Sequence, residues 1–155
     1  MKYTLIALVL SLFISCNGDK NEIKPDTTDY VAKNEADIVK YIADNNLKAQ
    51  KTGTGLYYVI SEPGTGKQPT TNSNVTVAYK GYYTSKKGFD QSPPTGISFN
   101  LQGVIKGWTE GIPLFKEGGS GLLLIPAHLG YGNYDNNGIP GGSVLIFEVK
   151  LIAVN

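Results

Sequence analysis

One histidine and one cysteine are all that 155 residues supply of the two most versatile catalytic and metal-binding side chains. His128 follows Pro126 in a turn, and no second histidine or cysteine stands by to complete a metal site or a triad. It reads as a structural turn residue. Ser120 lies in "GGSG", but Leu122 occupies the place where a nucleophile elbow needs its second glycine. "TGTG" at 52–55 lacks the lysine and hydroxyl that complete a phosphate loop. "NYDNNG" at 133–138 opens like a calcium-binding loop, yet its twelfth position is Val144 where a glutamate is required. No metal or cofactor is expected. Fourteen basic residues against 13 acidic ones, without a basic cluster, give no footprint for nucleic acid, so none is expected as a partner.

The chain also lacks an apolar run long enough to span a bilayer. The stretch Leu5–Ile14, behind Lys2, is too short for that and reads as the core of a secretory signal. Cys16, the only cysteine, allows no intramolecular disulfide. Its setting after "LFIS" resembles the lipobox of bacterial lipoproteins, with cleavage before the cysteine and lipid attachment to its sulfur. An ordinary cleaved signal with an incidental cysteine is the alternative. Residues 17 to about 30 are polar and without period, as a tether would be. The expected organisation is a lipoprotein signal peptide over 1–15, a lipid-anchored tether over 16–30, a helical extension over 31–50 and one domain over 51–155.

Glycine, by contrast, is abundant: 19 residues, well above the average of about 7%, which suits short strands and many turns. "NEADIVKYIADNNLKAQ" predicts a helix over about 35–44, starting at Asn34 and Asp37, with Ile38, Ile42 and Val39 as its apolar stripe. It is either an extension packed on the domain or a dimerisation element. From Leu56 the period becomes two. Strands are predicted at 55–61, 74–83, 97–101, 121–126 and 143–154, with one helix at about 104–112 stopped by Pro113. The fold class is therefore α+β: a curved antiparallel β-sheet, a half-barrel, wrapped around one short α-helix. Trp108, the only tryptophan, falls on that helix between Gly107 and Gly111 and would lie under the concave face of the sheet. Tyr79, Phe89, Val104, Ile105, Trp108, Tyr131 and Phe147 converge if the strands curl, with Asp90 beside them. Spacing alone does not separate a packed core from a pocket.

"VAYKGYY", "GFDQS", "GVIKGWTEGI", "LLIPAHLGYG" and "GGSVLIFEVKLI" occur in order over roughly residues 56–153. Together they resemble FKBP-type peptidyl-prolyl cis-trans isomerases, in a bacterial lipoprotein form. The resemblance implies an indole floor at Trp108 and aromatic walls at Tyr79, Phe89 and Phe147. It implies rim aliphatics at Val104 and Ile105, with the Ile105 N–H as a peptide donor, and Asp90 as a buried carboxylate. Tyr131 would reach a substrate carbonyl, Ile97 would be a further wall, and Ile139 would lie at the flap edge, with Tyr134 covering the groove. Proline-containing segments of exported proteins are the implied substrates, and macrolides of the FKBP-directed kind the implied inhibitors. Cys16 would hold the domain at a membrane of the bacterial cell envelope, the outer one favoured by Asn17 behind it. The alternative on the same fold is a non-catalytic proline-peptide-binding or chaperone module.

Overall fold

The computed structural model describes residues 29–155. The signal, Cys16 and all but the end of the tether lie outside the described residues. Helix α1 spans Tyr30–Asp44. It begins earlier than the sequence predicts because Asp29 is its cap, the Oδ1 accepting from the Val31 and Ala32 N–H groups at 3.1 and 3.2 Å. Asn34 sits inside the helix and is buried. Asn45 caps the far end, and Asn46, at φ 51°, breaks the helix there.

The strands are β1 (Gln50–Lys51), β2 (Tyr57–Glu62), β3 (Asn74–Tyr83), β4 (Gly88–Gln91), β5 (Ile97–Asn100), β6 (Ser120–Ile125) and β7 (Leu145–Val154). All pair antiparallel in one seven-stranded sheet, ordered β1-β2-β6-β7-β3-β4, with β5 also on β3. The sequence predicts four or five strands. The additional ones, β1 and β4, have two and four residues, too few for a period to register. Helix α2 is shorter than expected, Lys106–Gly111, and passes into a 3₁₀ turn at Ile112–Leu114 that contains Pro113.

Both faces of the sheet are covered, which is why "GLLLI" is apolar without alternation. On the concave face Val75, Val77, Leu123, Ile125, Phe147, Val149 and Leu151 pack with Trp108, Ile112 and Phe115. On the convex face the cross-strand row Tyr57–Leu124–Ile146–Tyr82 receives Ile38 and Tyr41 of α1. The helix is thus an extension docked on its own domain. Val39, assigned to the apolar stripe from the sequence, faces outward, because Ile38 and Tyr41 set the buried side one position back.

Glu35 latches α1 to the sheet, accepting from Lys51 Nζ at 2.7 Å and Tyr57 Oη at 2.6 Å. The Lys51 bond, then the Tyr57 bond, holds its carboxyl below the ordinary glutamate value. A depressed folded pKa means the latch stabilises above that ordinary value and is lost as pH falls through it to the folded one. Thermal melts of wild type and Glu35→Gln should therefore differ most at neutral pH, draw together as pH falls past the ordinary glutamate value, and converge only below the lowered folded one. A difference that persists in acid would show that the latch does not depend on ionised Glu35.

Candidate active site

Two glycines bring α2 against the sheet. A Cβ on Gly107 would lie 2.6 Å from Ile125 Cγ2, and one on Gly111 would lie 2.7 Å from Leu123 Cδ2. These residues are one helical turn apart and face the same way. The helix backbone can thus settle on β6, and Trp108 is carried beneath the concave face. That contact outweighs the entropic cost of glycine in a short helix.

Over the indole the rings form a shell. Tyr79 meets Trp108 edge-on at 4.9 Å between centroids, Phe147 edge-on at 5.1 Å and Phe99 tilted at 5.3 Å. Such edge contacts suit aromatic quadrupoles. Trp108 is only 5% exposed, and its Nε1–H, buried, has no hydrogen-bond partner. Above it opens a cavity of about 460 Å³ lined by Tyr79, Asp90, Ile97, Phe99, Gly103, Val104, Ile105, Trp108, Tyr131 and Phe147. The volume suits a small ligand or a few residues of peptide. A larger groove of about 940 Å³ lies toward the convex face, but Lys80, Lys86, Glu148 and Lys150 line it. Charged walls keep it wet, so the smaller cavity is the one able to desolvate a bound group.

Eight of the expected pocket residues line this cavity: Tyr79, Asp90, Ile97, Val104, Ile105, Trp108, Tyr131 and Phe147. Two do not. Phe89 stands behind the wall, 5.5 Å from Phe147 and 5.0 Å from Tyr83 between centroids. Gly81 makes this stacking possible, since a Cβ there would meet Phe89 and Phe147 ring carbons at 2.7 and 2.8 Å. Ile139 is buried in the main core. The reciprocal hydrogen bonds of Asn136 and Ile139, both 2.9 Å, close a tight turn that folds it inward. Tyr134 is 83% exposed and covers nothing. Phe99, which does line the cavity, was legible: it lies two residues beyond Ile97 and so shares its face of β5.

Asp90 also differs from expectation, being exposed at the rim, because β4 is the edge strand of the sheet. Its Oδ2 accepts from Tyr79 Oη at 2.7 Å and its Oδ1 from the Gln91 N–H at 2.8 Å. Burial first, and the Asp90 bond second, push the Tyr79 phenol far above its ordinary value, so it is a neutral donor at physiological pH. Across the mouth Tyr131 is 39% exposed. Among the described residues neither its hydroxyl nor the Ile105 N–H has a hydrogen-bond partner. His128 keeps to the turn, with Nε2 2.9 Å from the Thr54 carbonyl oxygen.

A half-barrel that sets a ring of aromatic side chains over an indole, with spare donors at its mouth, defines an apolar pocket of a size and shape for a small ring. Residues 65–152 match the FKBP-type peptidyl-prolyl cis-trans isomerase family, and the chain belongs to that family. It is 39% identical over 135 residues to the FKBP-type peptidyl-prolyl cis-trans isomerase FkpA of Escherichia coli K12, covering 86% of this chain and 49% of that protein. A probable FkpA of Neisseria meningitidis is 39% identical over 125 residues, 79% of this chain and 45% of its own. The chain spans about half the length of these curated relatives. Among solved structures, Escherichia coli FkpA superposes with a TM-score of 0.72 at 40% identity, over 80% of this chain and 60% of that one. A peptidyl-prolyl cis-trans isomerase from Pseudomonas syringae pv. tomato gives 0.70 at 31% identity, over 83% and 97%.

Proposed function

We propose that this chain accelerates cis–trans rotation of X–Pro bonds in exported proteins, and that it does so by desolvating them over Trp108. The observation that carries this is the cavity: apolar, aromatic on several sides, open to solvent, and with Asp90 as its one charged lining residue. An X–Pro bond resists rotation by about 18–20 kcal/mol because resonance gives its C–N bond double-bond character. Uncatalysed, the exchange takes tens to hundreds of seconds. At the twisted transition state that resonance is lost and the carbonyl is less polar. A dry cavity therefore favours it over the planar forms more than water does. A barrier lowered by about 7 kcal/mol gives roughly 10⁵-fold acceleration.

Each lining group has a part in this. The prolyl ring lies on the indole between Tyr79, Phe99 and Phe147. The Ile105 N–H and the Tyr131 hydroxyl hold carbonyls of the peptide on either side of the ring. Asp90 fixes the Tyr79 ring through the 2.7 Å bond and sets its negative charge near the rotating imide. No proton is transferred and no covalent bond forms, so the scarcity of histidine and cysteine is no obstacle.

A protease-coupled assay on an X-Pro peptide tests this. The full chain should accelerate release, and an FKBP-directed macrolide should suppress it. Rates equal to buffer would reject catalysis and leave a binding module. Asp90→Ala should lower kcat/KM roughly tenfold or more, the scale of one bond to a charged group. Because Asp90 is exposed but accepts from Tyr79, its removal should lower stability by only about 0.5–1.5 kcal/mol, the scale of one hydrogen bond, and leave the fold intact. Equal activity in the variant would remove Asp90 from the mechanism.

Attachment to the cell envelope belongs to the same proposal, supported by the apolar run Leu5–Ile14 followed by Cys16 and the polar stretch behind it. The outer membrane is the favoured site. Cys16→Ser should abolish incorporation of a labelled fatty acid and move the chain out of the membrane fraction. Unchanged labelling would exclude Cys16 as the lipid carrier.

A further inference from the structure

Asn34 is the one buried residue of polar type among the described residues, at 1% exposed. It does not line the cavity. Its Oδ1 accepts from the Ala127 N–H at 2.7 Å, and its Nδ2 donates to the Gly142 carbonyl at 2.8 Å. Those two backbone groups are the ends of the loop 127–142, which carries Tyr131. Inside the loop the Gly132 N–H donates to Ala127 O at 2.8 Å, and the Gly142 N–H donates to Gly132 O at 2.9 Å. The bonds form a closed circuit, Asn34 to Ala127 to Gly132 to Gly142 and back to Asn34. Tyr131 is the residue just before Gly132.

The same turn of α1 adds a second contact. Gly142 has φ +72°, and a Cβ on it would overlap the Tyr30 ring, so the ring lies directly on the glycine. Tyr30 and Asn34 are four residues apart, on one face of the helix. The amide of Asn34 meets both backbone groups at once, which its near relatives in size do not. Aspartate when ionised cannot donate to Gly142 O, leucine offers neither partner, and glutamine is a methylene too long. A buried N–H or C=O left unpaired here costs more than an ordinary bond gains.

The geometry points to Asn34 as a positioning residue for Tyr131: it closes the loop that sets this hydroxyl at the mouth of the cavity. Helix α1 is on this view part of the binding unit as well as a cover for the convex face. The inference rests on the isomerase reading for Tyr131's role in turnover, whereas the closure of the loop can be tested without it.

The test compares wild type, Asn34→Ala and Asn34→Asp in the full chain. Amide hydrogen exchange is the first readout. In Asn34→Ala the Gly132 and Gly142 amides should exchange roughly tenfold faster or more, relative to Phe147 and Val149 in β7. Asn34→Asp keeps the side-chain size and the Ala127 bond, so it should loosen the Gly142 amide more than the Gly132 amide. It also decides the matter if the alanine variant does not fold. The second readout is kcat/KM in a cycle with Tyr131→Phe. Each single change should lower it, and the double variant should fall no further than Tyr131→Phe alone. Exchange that rises equally in the loop and in β7, or losses that multiply in the double variant, would overturn the inference and make Asn34 a structural residue only. If wild type does not isomerise, the functional reading fails, and the exchange measurements alone decide whether Asn34 closes the loop.

Discussion

Trp108→Ala is expected to cost about 3–5 kcal/mol of stability and to lower kcat/KM by a hundredfold or more, about 2.7 kcal/mol in barrier. The two losses have different origins. Stability falls because the indole fills the space between α2 and the concave face, touching Tyr79, Phe99 and Phe147 at once. Activity falls because the cavity loses its floor and becomes wetter and deeper. Trp108→Phe separates them. It keeps an aromatic floor and removes the buried Nε1–H that has no partner, a group whose desolvation costs about 1–3 kcal/mol. The phenylalanine variant should therefore lose much less stability than the alanine variant and keep most of its turnover. Urea unfolding and peptide kinetics on the two variants check both points. A Trp108→Ala protein with wild-type kcat/KM would remove the floor from the mechanism.

The second large effect is expected at the glycines beneath that floor. Alanine is the better helix former by about 1 kcal/mol per position, so propensity alone predicts that Gly107→Ala with Gly111→Ala stabilises the protein. Packing opposes it. The new methyls would lie 2.6 Å from Ile125 and 2.7 Å from Leu123, both fully buried side chains with little room to give. Overpacking of that kind costs about 1–3 kcal/mol per site. Both contacts are backed by fully buried side chains, so crowding outweighs propensity and the double variant should lose up to about 4 kcal/mol in urea unfolding. It should also lose activity as α2 lifts and tilts the indole. A net gain in stability would mean that α2 does not press on β6 as closely as described.

These glycines show how much the sequence could convey. A tryptophan flanked by Gly107 and Gly111 marked the helix that lies under the sheet, and the alternation of Val75, Val77 and Tyr79 placed β3 at its observed ends. Local pattern ran out where a residue's surroundings come from distant chain. Asn34 looked like a helix cap, since nothing nearby in sequence announces Ala127 and Gly142 as its partners. Asp90 was expected to be buried, but β4 is too short to show a period and too far out on the sheet to be covered. Phe89 and Ile139 were assigned to the pocket by the family pattern. The stacking behind Phe147 and the turn at 136–139 carry them just outside it. Phe99 was visible in the phase of β5 and needed only the step from strand face to cavity wall.

The most direct test is the rate of X–Pro exchange in a short peptide, followed by NMR exchange spectroscopy with the full chain in H₂O and in D₂O. Rotation by desolvation alone predicts a large acceleration that is the same in both solvents. Acceleration slowed about twofold or more in D₂O, the mark of a proton in flight at the transition state, would contradict it.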